Sequence, residues 1–439
     1  MKEQKNSQLI KWFTSIAICT LSLNGLANLT ASHVGELGSQ GLCHFDQEAN
    51  QLSSALCPSL NSFQKGFHLN MNFFSTHSHF NSLGRLVTGN QYTQREVQYQ
   101  EVDLTPASEQ RLSLNGFVTW GEYQISAYLL APIHNLVSLH SPAPDSPQLL
   151  QNSNHHLLFK ANISRKFENL AISVGATQGF KGQVQSLLVT ALDESSSPSY
   201  VDIQADVESQ WAMDLELAYQ FNERNLLVLH YQQKMDYRVQ QTAQGISPLG
   251  SLSRVDYQFT LEGSALFSPE NYRISYQYQA QSFYLLTGIR YERWSDWQGP
   301  SLQISQAQGV LRAGDNYQYS RFKDILIPSF AIAYPLTNKQ KLTLGYSYRP
   351  SILTASPTHD RGNRLDTNVS QIGLSYQKQL SSLAGSQLTI GASHQHFHSL
   401  RVDKQSIMED GSEGEPIGSP GYELKGSVLV IGAGLALNF

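Results

Sequence analysis

The C-terminal end of this chain allows few folds. From Leu429 to Phe439, Leu429, Ile431, Ala433, Leu435, Leu437 and Phe439 alternate with Val430, Gly432, Gly434, Ala436 and Asn438. A β-strand sends successive side chains to opposite faces. One face of this segment is therefore apolar to its last residue, and the other is small or polar. A strand of that length with one apolar face and a terminal aromatic fits the closing strand of a transmembrane β-barrel, where lipid covers the apolar face. In a soluble sheet the same strand would be an unprotected edge that invites aggregation.

Composition agrees. Only 15% of the 439 residues are charged, well under the usual share of about a quarter. Tyr (21) and Phe (19) are plentiful, and the mean hydropathy of −0.31 suits alternating strands that never look hydrophobic in a sliding window. The net charge is −5 with no long basic run, which argues against nucleic acid as a partner.

The N-terminus reads as a secretory signal. Lys2, Lys5 and Lys11 precede and open an apolar run from Trp12 to Leu23, and Gly25-Leu26-Ala27 places small residues for cleavage after Ala27. The run is far shorter than the ~20 residues of a spanning helix. Cleavage leaves two cysteines, Cys43 and Cys57. An even count in an exported chain suggests a disulfide, which would stabilise by roughly 3 kcal/mol; two free buried thiols are the alternative.

Alternating segments recur after about residue 66. Met213, Leu215, Leu217, Tyr219 and Phe221 share one face, with Asp214, Glu216, Ala218 and Gln220 opposite. The polar turn Asn222-Glu223-Arg224-Asn225 follows, and Leu227, Leu229 and Tyr231 rise again. Leu342, Leu344, Tyr346 and Tyr348 repeat the pattern after the turn 337–340, and Ile372, Leu374 and Tyr376 repeat it later. Charges on the face away from lipid are tolerable only if that face is wet or internally paired, since lipid would penalise them by about 2–4 kcal/mol. Turns at one end are short. Connections at the other end, at roughly 136–153, 183–209, 239–256, 298–320, 350–365 and 402–420, are long and rich in Ser, Pro, Gly, Gln and Asp. The expected organisation is a signal peptide over 1–27, an N-terminal hatch or plug over 28–62, and an all-β transmembrane antiparallel barrel of about 14 strands over 63–439.

The segment Ile289-Arg290-Tyr291-Glu292-Arg293-Trp294-Ser295-Asp296-Trp297-Gln298 is followed by Phe322-Lys323-Asp324. With the hairpin from Met213 to Tyr231 and the ending from Gly426 to Phe439, these segments resemble the FadL family of outer-membrane transporters for long-chain fatty acids and other hydrophobic compounds. The strand ending in Trp294, Ser295 and Trp297 is similar to the family's Trp-Ser-x-aromatic-Gln motif, and Phe322, Lys323 and Asp324 to its Phe-Lys-Asp. The resemblance implies a fourteen-stranded, porin-like barrel with a hatch inside it. It also implies passive uptake from outside and sideways release into the membrane, with no cofactor. The expected setting is a monomer in the outer membrane, inserted by the barrel-assembly machinery through its Phe439 end and in contact with outer-membrane lipid. Where the family commonly carries Asn-Pro-Ala in the hatch, this chain reads Cys57-Pro58-Ser59-Leu60.

A fatty acid needs an apolar tunnel and a cation for its carboxylate. Lys323 is the first candidate, through the Phe-Lys-Asp likeness; counted back from Phe330 it has inward parity. Its other role would be a salt bridge to Asp324. Lys181 follows the strand Ile172, Val174, Ala176 with the same parity. Phe63 and Phe67, with Phe73 and Phe74, are candidates for the tunnel wall, half of them expected to face lipid instead. Arg290 and Glu292 read as a structural lumen pair. His394, His396 and His398 alternate on one face; that spacing could hold a metal, but no partner carboxylate or cysteine stands nearby, so no metal is expected. No Gly-x-Ser-x-Gly elbow, phosphate-cradling glycine loop or cysteine metal cluster is present, so the chain does not read as an enzyme. A non-transporting barrel acting as a surface receptor or adhesin is the competing reading.

Overall fold

The computed structural model describes residues 33–45, 57–89, 98–102, 108–132, 138–141, 148–149, 158–179, 182–190, 199–207, 209–249, 253–297, 303–308, 322–354, 364–380, 386–403 and 419–439. The predicted signal peptide, 1–27, lies outside them.

Fourteen strands close into one barrel. They are β1 (Phe67–Phe80), β2 (Ser108–Trp120), β3 (Tyr123–Pro132), β4 (Leu158–Phe167), β5 (Leu170–Gly179), β6 (Gln210–Asn222) and β7 (Asn225–Gln232). The ring continues with β8 (Glu270–Gln279), β9 (Tyr284–Arg293), β10 (Ile325–Thr337), β11 (Gln340–Arg349), β12 (Val369–Leu380), β13 (Ser386–Asp403) and β14 (Gly421–Asn438). Each pairs antiparallel with its chain neighbours, and β1 closes against β14 from His68↔Asn438 to Phe80↔Gly426. Phe439 donates its N–H to the Phe67 carbonyl (2.9 Å) just beyond the seam.

Side chains alternate as the sequence pattern requires. On β1, His68, Asn70, Asn72, Phe74, Thr76, Ser78 and Phe80 are buried inward, while Phe67, Met71 and Phe73 stand on the outer face. On β6, Asp214, Glu216 and Ala218 point in, and Met213, Leu215, Tyr219 and Phe221 point out. The outward row of β14 and its end runs from Leu429 to Phe439. At about 3.3 Å per residue this covers about 33 Å of strand, or about 25 Å along the membrane normal at a tilt near 40°, the height of the apolar band of such barrels. Exposed Trp120, Tyr123, Phe167, Tyr219, Phe221, Tyr334 and Phe439 ring the short-turn end, as aromatic girdles do at a membrane interface.

At the far end the connections are not plain loops. Met235–Leu249 pairs with Ser253–Ser268, which also pairs with Gln303–Gln308. Ser138–Ser141, Gly182–Thr190 and Ser199–Val207 form a second small sheet. The segments 183–209 and 239–256 therefore contain strands where the sequence was read as loops. Their turn-forming residues are interspersed with runs such as Val239, Thr242 and Ile246 that suit strands once a partner takes up the backbone hydrogen bonds.

Inside the barrel lie α1 (Gly35–Ser39) and a 3₁₀ turn (Pro58–Phe63). The barrel proper opens at Phe67, so Phe63 belongs with the hatch. The α1 turn would be marginal alone; it is held by a trough of wall glycines. A Cβ on Gly345 would lie 2.2 Å from the Gly38 carbonyl oxygen, and one on Gly373 would lie 1.7 Å from that of Leu37. On Gly391 it would sit 2.9 Å from the Val34 carbonyl oxygen, and on Gly432 2.9 Å from the Val34 side chain. The four glycines come from β11, β12, β13 and β14, and Gly345↔Gly373 and Gly391↔Gly432 are cross-strand pairs. Removing four side chains from adjacent inward positions lets helix backbone touch strand backbone.

Candidate functional site: hatch, lumen wall and lateral groove

Polar wall side chains fasten the hatch along its length. Asn72 accepts from the Val34 N–H (3.2 Å) and Ser375 donates to the Gly35 carbonyl (3.3 Å). Gln277 both accepts from the Phe45 N–H (2.8 Å) and donates to its carbonyl (2.7 Å). Arg273 donates to the Gly41 carbonyl (3.1 Å), Ser164 to that of Pro58 (3.1 Å) and Gln124 to that of Gln64 (2.8 Å). Cys43 and Cys57 are joined by a disulfide with their Cα atoms 5.8 Å apart, and both are buried. It ties the α1 arm to the 3₁₀ arm. Ser59 donates to Glu216 from its hydroxyl (2.5 Å) and its N–H (2.9 Å). The two residues that depart from the family's Asn-Pro-Ala pattern thus both join the hatch to something: Cys57 to the other arm, Ser59 to the wall.

Glu216 belongs to a charged belt. Glu216, His230, Arg273 and Arg290 are successive cross-strand neighbours on β6 to β9. One rung away, Asp214 meets Lys160 (2.8 Å), His230 (2.9 Å) and Asn162 (3.1 Å). Arg273 lies 3.7 Å from Glu216, and Arg290 2.9 Å from Glu292. The acids on the inward face of β6 are thus paired internally, which is what makes them tolerable in a wall surrounded by lipid. In the hatch, His33 Nδ1 accepts from the Gly35 N–H (2.9 Å), so this ring is neutral with its proton on Nε2. Burial, with Lys341 adding repulsion, pushes its pKa down to about 4.

Apolar side chains interrupt this polar lining along one arc. Phe74, Phe80, Val428, Val430, Leu424 and Val402 point inward from β1, β13 and β14 and pack with Leu83 and Leu86 above and with Val34 and Leu37 of the hatch below. They form an apolar column from the long-loop end down to α1. On the outer face of the adjoining wall a groove of about 330 Å³ is lined by Phe67, Leu69, Leu114, Val118, Ile125 and Leu129, with the Asn115, Phe117 and Tyr128 positions at its floor. Its depth comes from Gly116 and Ala127, small outward residues that are cross-strand partners on β2 and β3.

The sequence candidates fall as follows. Phe67 faces outward, 45% exposed, against Phe439 at 5.6 Å. It lines the lateral groove and not the lumen, because the inward residues of β1 are the even ones. Phe73 is also outward, and Phe74 is in the column. Phe63 packs on Phe45 (5.2 Å) at the short-turn end, under Lys166. Lys323 is exposed. The strand begins only at Ile325, so the alternation counted from Phe330 stops short of it. Asp324 does not pair with it; it accepts from Tyr291 Oη (2.5 Å) and the Ser295 N–H (2.9 Å). Lys181 lies outside the described residues. Trp294, Trp297 and Phe322 form an aromatic knot with Phe267, Ile325, Ile327 and Ile352 that closes the tops of β8 to β11. The motif residues are thus gathered in packing that supports the long-loop mouth. His394 and His396 project from the outer wall and His398 is half-exposed beside them.

No protein-family model and no curated protein matches the chain. Solved structures do. A FadL homologue from Pseudomonas aeruginosa superposes with a TM-score of 0.65 over 94% of this chain and 100% of that one, at 12% identity. This chain has the fold of that FadL homologue. The toluene transporter TodX of Pseudomonas putida matches with a TM-score of 0.52 at 14% identity, over 95% and 99% of the two chains. CymD, a monoaromatic hydrocarbon channel, matches with 0.53 at 12% identity, over 94% and 99%. The FadL-type barrel supplies the architecture; the glycine trough, the stapled hatch and the groove are read from this chain's own residues.

Proposed function

We propose that the protein is a passive channel for hydrophobic compounds in the outer membrane of a Gram-negative cell, and not an enzyme. The observation that carries the reading is the apolar lateral groove in the outer wall, with the apolar column on the neighbouring inner face. A hydrophobic ligand entering between the long loops gains by leaving water at every step, first on the column and then in the groove, at about 25 cal/mol per Å² of apolar surface covered. It would leave sideways into lipid without an energy source, running down its own partition gradient. TodX and CymD, which share the fold, are a toluene transporter and a monoaromatic hydrocarbon channel; their cargo supports this class of ligand.

Long-chain fatty acids are the specific cargo proposed. Their carboxylate would stay at the mouth beside exposed Lys323, since Lys160, Arg273, Arg290 and Arg349 are each engaged with an acid. Photo-cross-linking with a diazirine-bearing fatty acid tests the path. Adducts on Leu114, Val118, Ile125 or Leu129 support lateral release, whereas adducts confined to the loops sink it. The paired strands above the wall favour a second reading, a surface receptor acting through its loops, and uptake without any loop-dependent cell binding would exclude it.

A further inference from the structure

One arc of the outer wall departs from the lipid-facing pattern at the long-loop end. Going up the barrel there, the outward residues of β1 run Phe67, Leu69, Met71, Phe73, Ser75, then His77 and His79. Those of β13 run Ile390, Ala392, then His394, His396 and His398, and those of β14 run Ile431, Leu429, then Ser427 and Lys425. The change falls within two neighbouring rungs. His77, Leu429, His394 and Ile372 are cross-strand neighbours, and the next rung is His79, Ser427, His396 and Ser370. Five of the chain's 14 histidines stand on this arc.

The switch from apolar to hydrogen-bonding side chains within neighbouring rungs of four adjacent strands marks the border of the lipid-covered band, so what covers the histidines is continuous with the membrane. On the β6 to β8 arc exposed Trp211 and Tyr272 stand near that end instead, the usual girdle chemistry. Imidazoles here offer N–H donors. His77 bonds Ser75 (3.2 Å) and His398 bonds Ser370 (2.8 Å), while His79 and His394 make no side-chain hydrogen bond among the described residues. Charge nearby is balanced: Lys425 and Arg401 are exposed, and so are Glu423 and Asp403. Glu423 already accepts from Ser399 (2.6 Å) with Lys425 at 3.8 Å. The patch therefore recognises by hydrogen bonds more than by net charge. Its size sets the class of occupant. Two strand spacings separate β1 from β13, about 10 Å, and the two rungs stand about 7 Å apart. One phosphate cannot reach all four corners; a headgroup with sugar hydroxyls and phosphate oxygens can.

We infer that His77, His79, His394 and His396, with Ser427 between them, bind the headgroup of a phosphorylated glycolipid in the leaflet on the long-loop side. The site is independent of the transport reading and would stand if that reading fell.

The test is lipid binding to the full barrel in micelles, read by native mass spectrometry and titration, with lipid A as the glycolipid probe and phosphatidylglycerol as the single-phosphate probe. Wild type is expected to bind lipid A about tenfold or more tighter than the His77→Ala/His79→Ala/His394→Ala/His396→Ala variant, the equivalent of one lost hydrogen bond to a charged group. Phosphatidylglycerol should bind both proteins alike and weakly. Arg165→Ala, at the short-turn end of the outer wall, should change nothing. Among the described residues these outward side chains pack in no core cluster, and an unchanged heat-dependent shift in gel mobility verifies the barrel. The double variant His79→Ala/His396→Ala serves if the fourfold one fails to assemble. Equal lipid A binding by variant and wild type, or phosphatidylglycerol binding as tight as lipid A, overturns the proposal.

Discussion

Replacing Gly373 by alanine should unseat the hatch while sparing the barrel. The new Cβ would lie 1.7 Å from the Leu37 carbonyl oxygen and 2.3 Å from Gln40 Nε2. Ordinary contacts of this kind need about 3.5 Å, so α1 must move off the wall by about 1.5 Å or more. That displacement takes the Val34–Asn72 and Gly35–Ser375 hydrogen bonds, at 3.2 and 3.3 Å, beyond useful length. Two bonds at about 1 kcal/mol each, plus lost packing of Val34 and Leu37, amount to about 2–3 kcal/mol. The assay is amide hydrogen exchange on the folded barrel. The N–H groups of Gly41 and Leu42, bonded to Glu36 and Ser39, should lose about 30- to 150-fold in protection, while β6 and β7 keep theirs. Thr287→Ala, on the outward face of β9, is the control. Unchanged protection at Gly41 and Leu42 in a folded Gly373→Ala barrel would refute the glycine-trough account.

Three further outcomes follow from the same contacts. Ser59→Ala removes one of the two bonds to buried Glu216 and should destabilise the hatch by about 1–3 kcal/mol; the added change Glu216→Gln should recover part of that in a double-mutant cycle by thermal unfolding. Cys43→Ser/Cys57→Ser should loosen the hatch by about 3 kcal/mol, seen as faster proteolysis of the N-terminal segment with the barrel intact. His33, held down near 4, gains a proton on unfolding below about 6.5. Its contribution is therefore present above that pH and lost as pH falls toward 4, at most about 3 kcal/mol. Hatch protection by hydrogen exchange should decline over that window in wild type and not in His33→Gln.

The barrel was legible because lipid imposes a period of two that no other term overrides: the row Leu429 to Phe439 and the β6 acids sort to opposite faces in the structure as in the sequence. Cys43 and Cys57 stood out by number alone. The seat of the hatch was hidden, since Gly345, Gly373, Gly391 and Gly432 are far apart in the chain and meet only through register. Two inward glycine pairs on four successive strands, Gly345↔Gly373 and Gly391↔Gly432, offset by two residues, are the signal that could have revealed them. For Lys323 the parity argument reaches past its strand, which begins only at Ile325. Phe67 misled because an aromatic at a barrel terminus serves the interface as readily as the lumen. The lateral groove depends on Gly116 and Ala127 being neighbours, which composition does not disclose.

The account turns on passage of a hydrophobic compound through the wall beside the hatch. The measurement that addresses this most directly is uptake of labelled oleate and labelled toluene by a transporter-deficient Gram-negative strain producing this chain, beside Ala127→Trp, which fills the outer groove without touching the lumen. The account predicts uptake of at least one compound by wild type and its loss in Ala127→Trp at equal surface level. A folded, surface-displayed wild-type barrel that takes up neither compound, or an Ala127→Trp variant that transports as well as wild type, would contradict it.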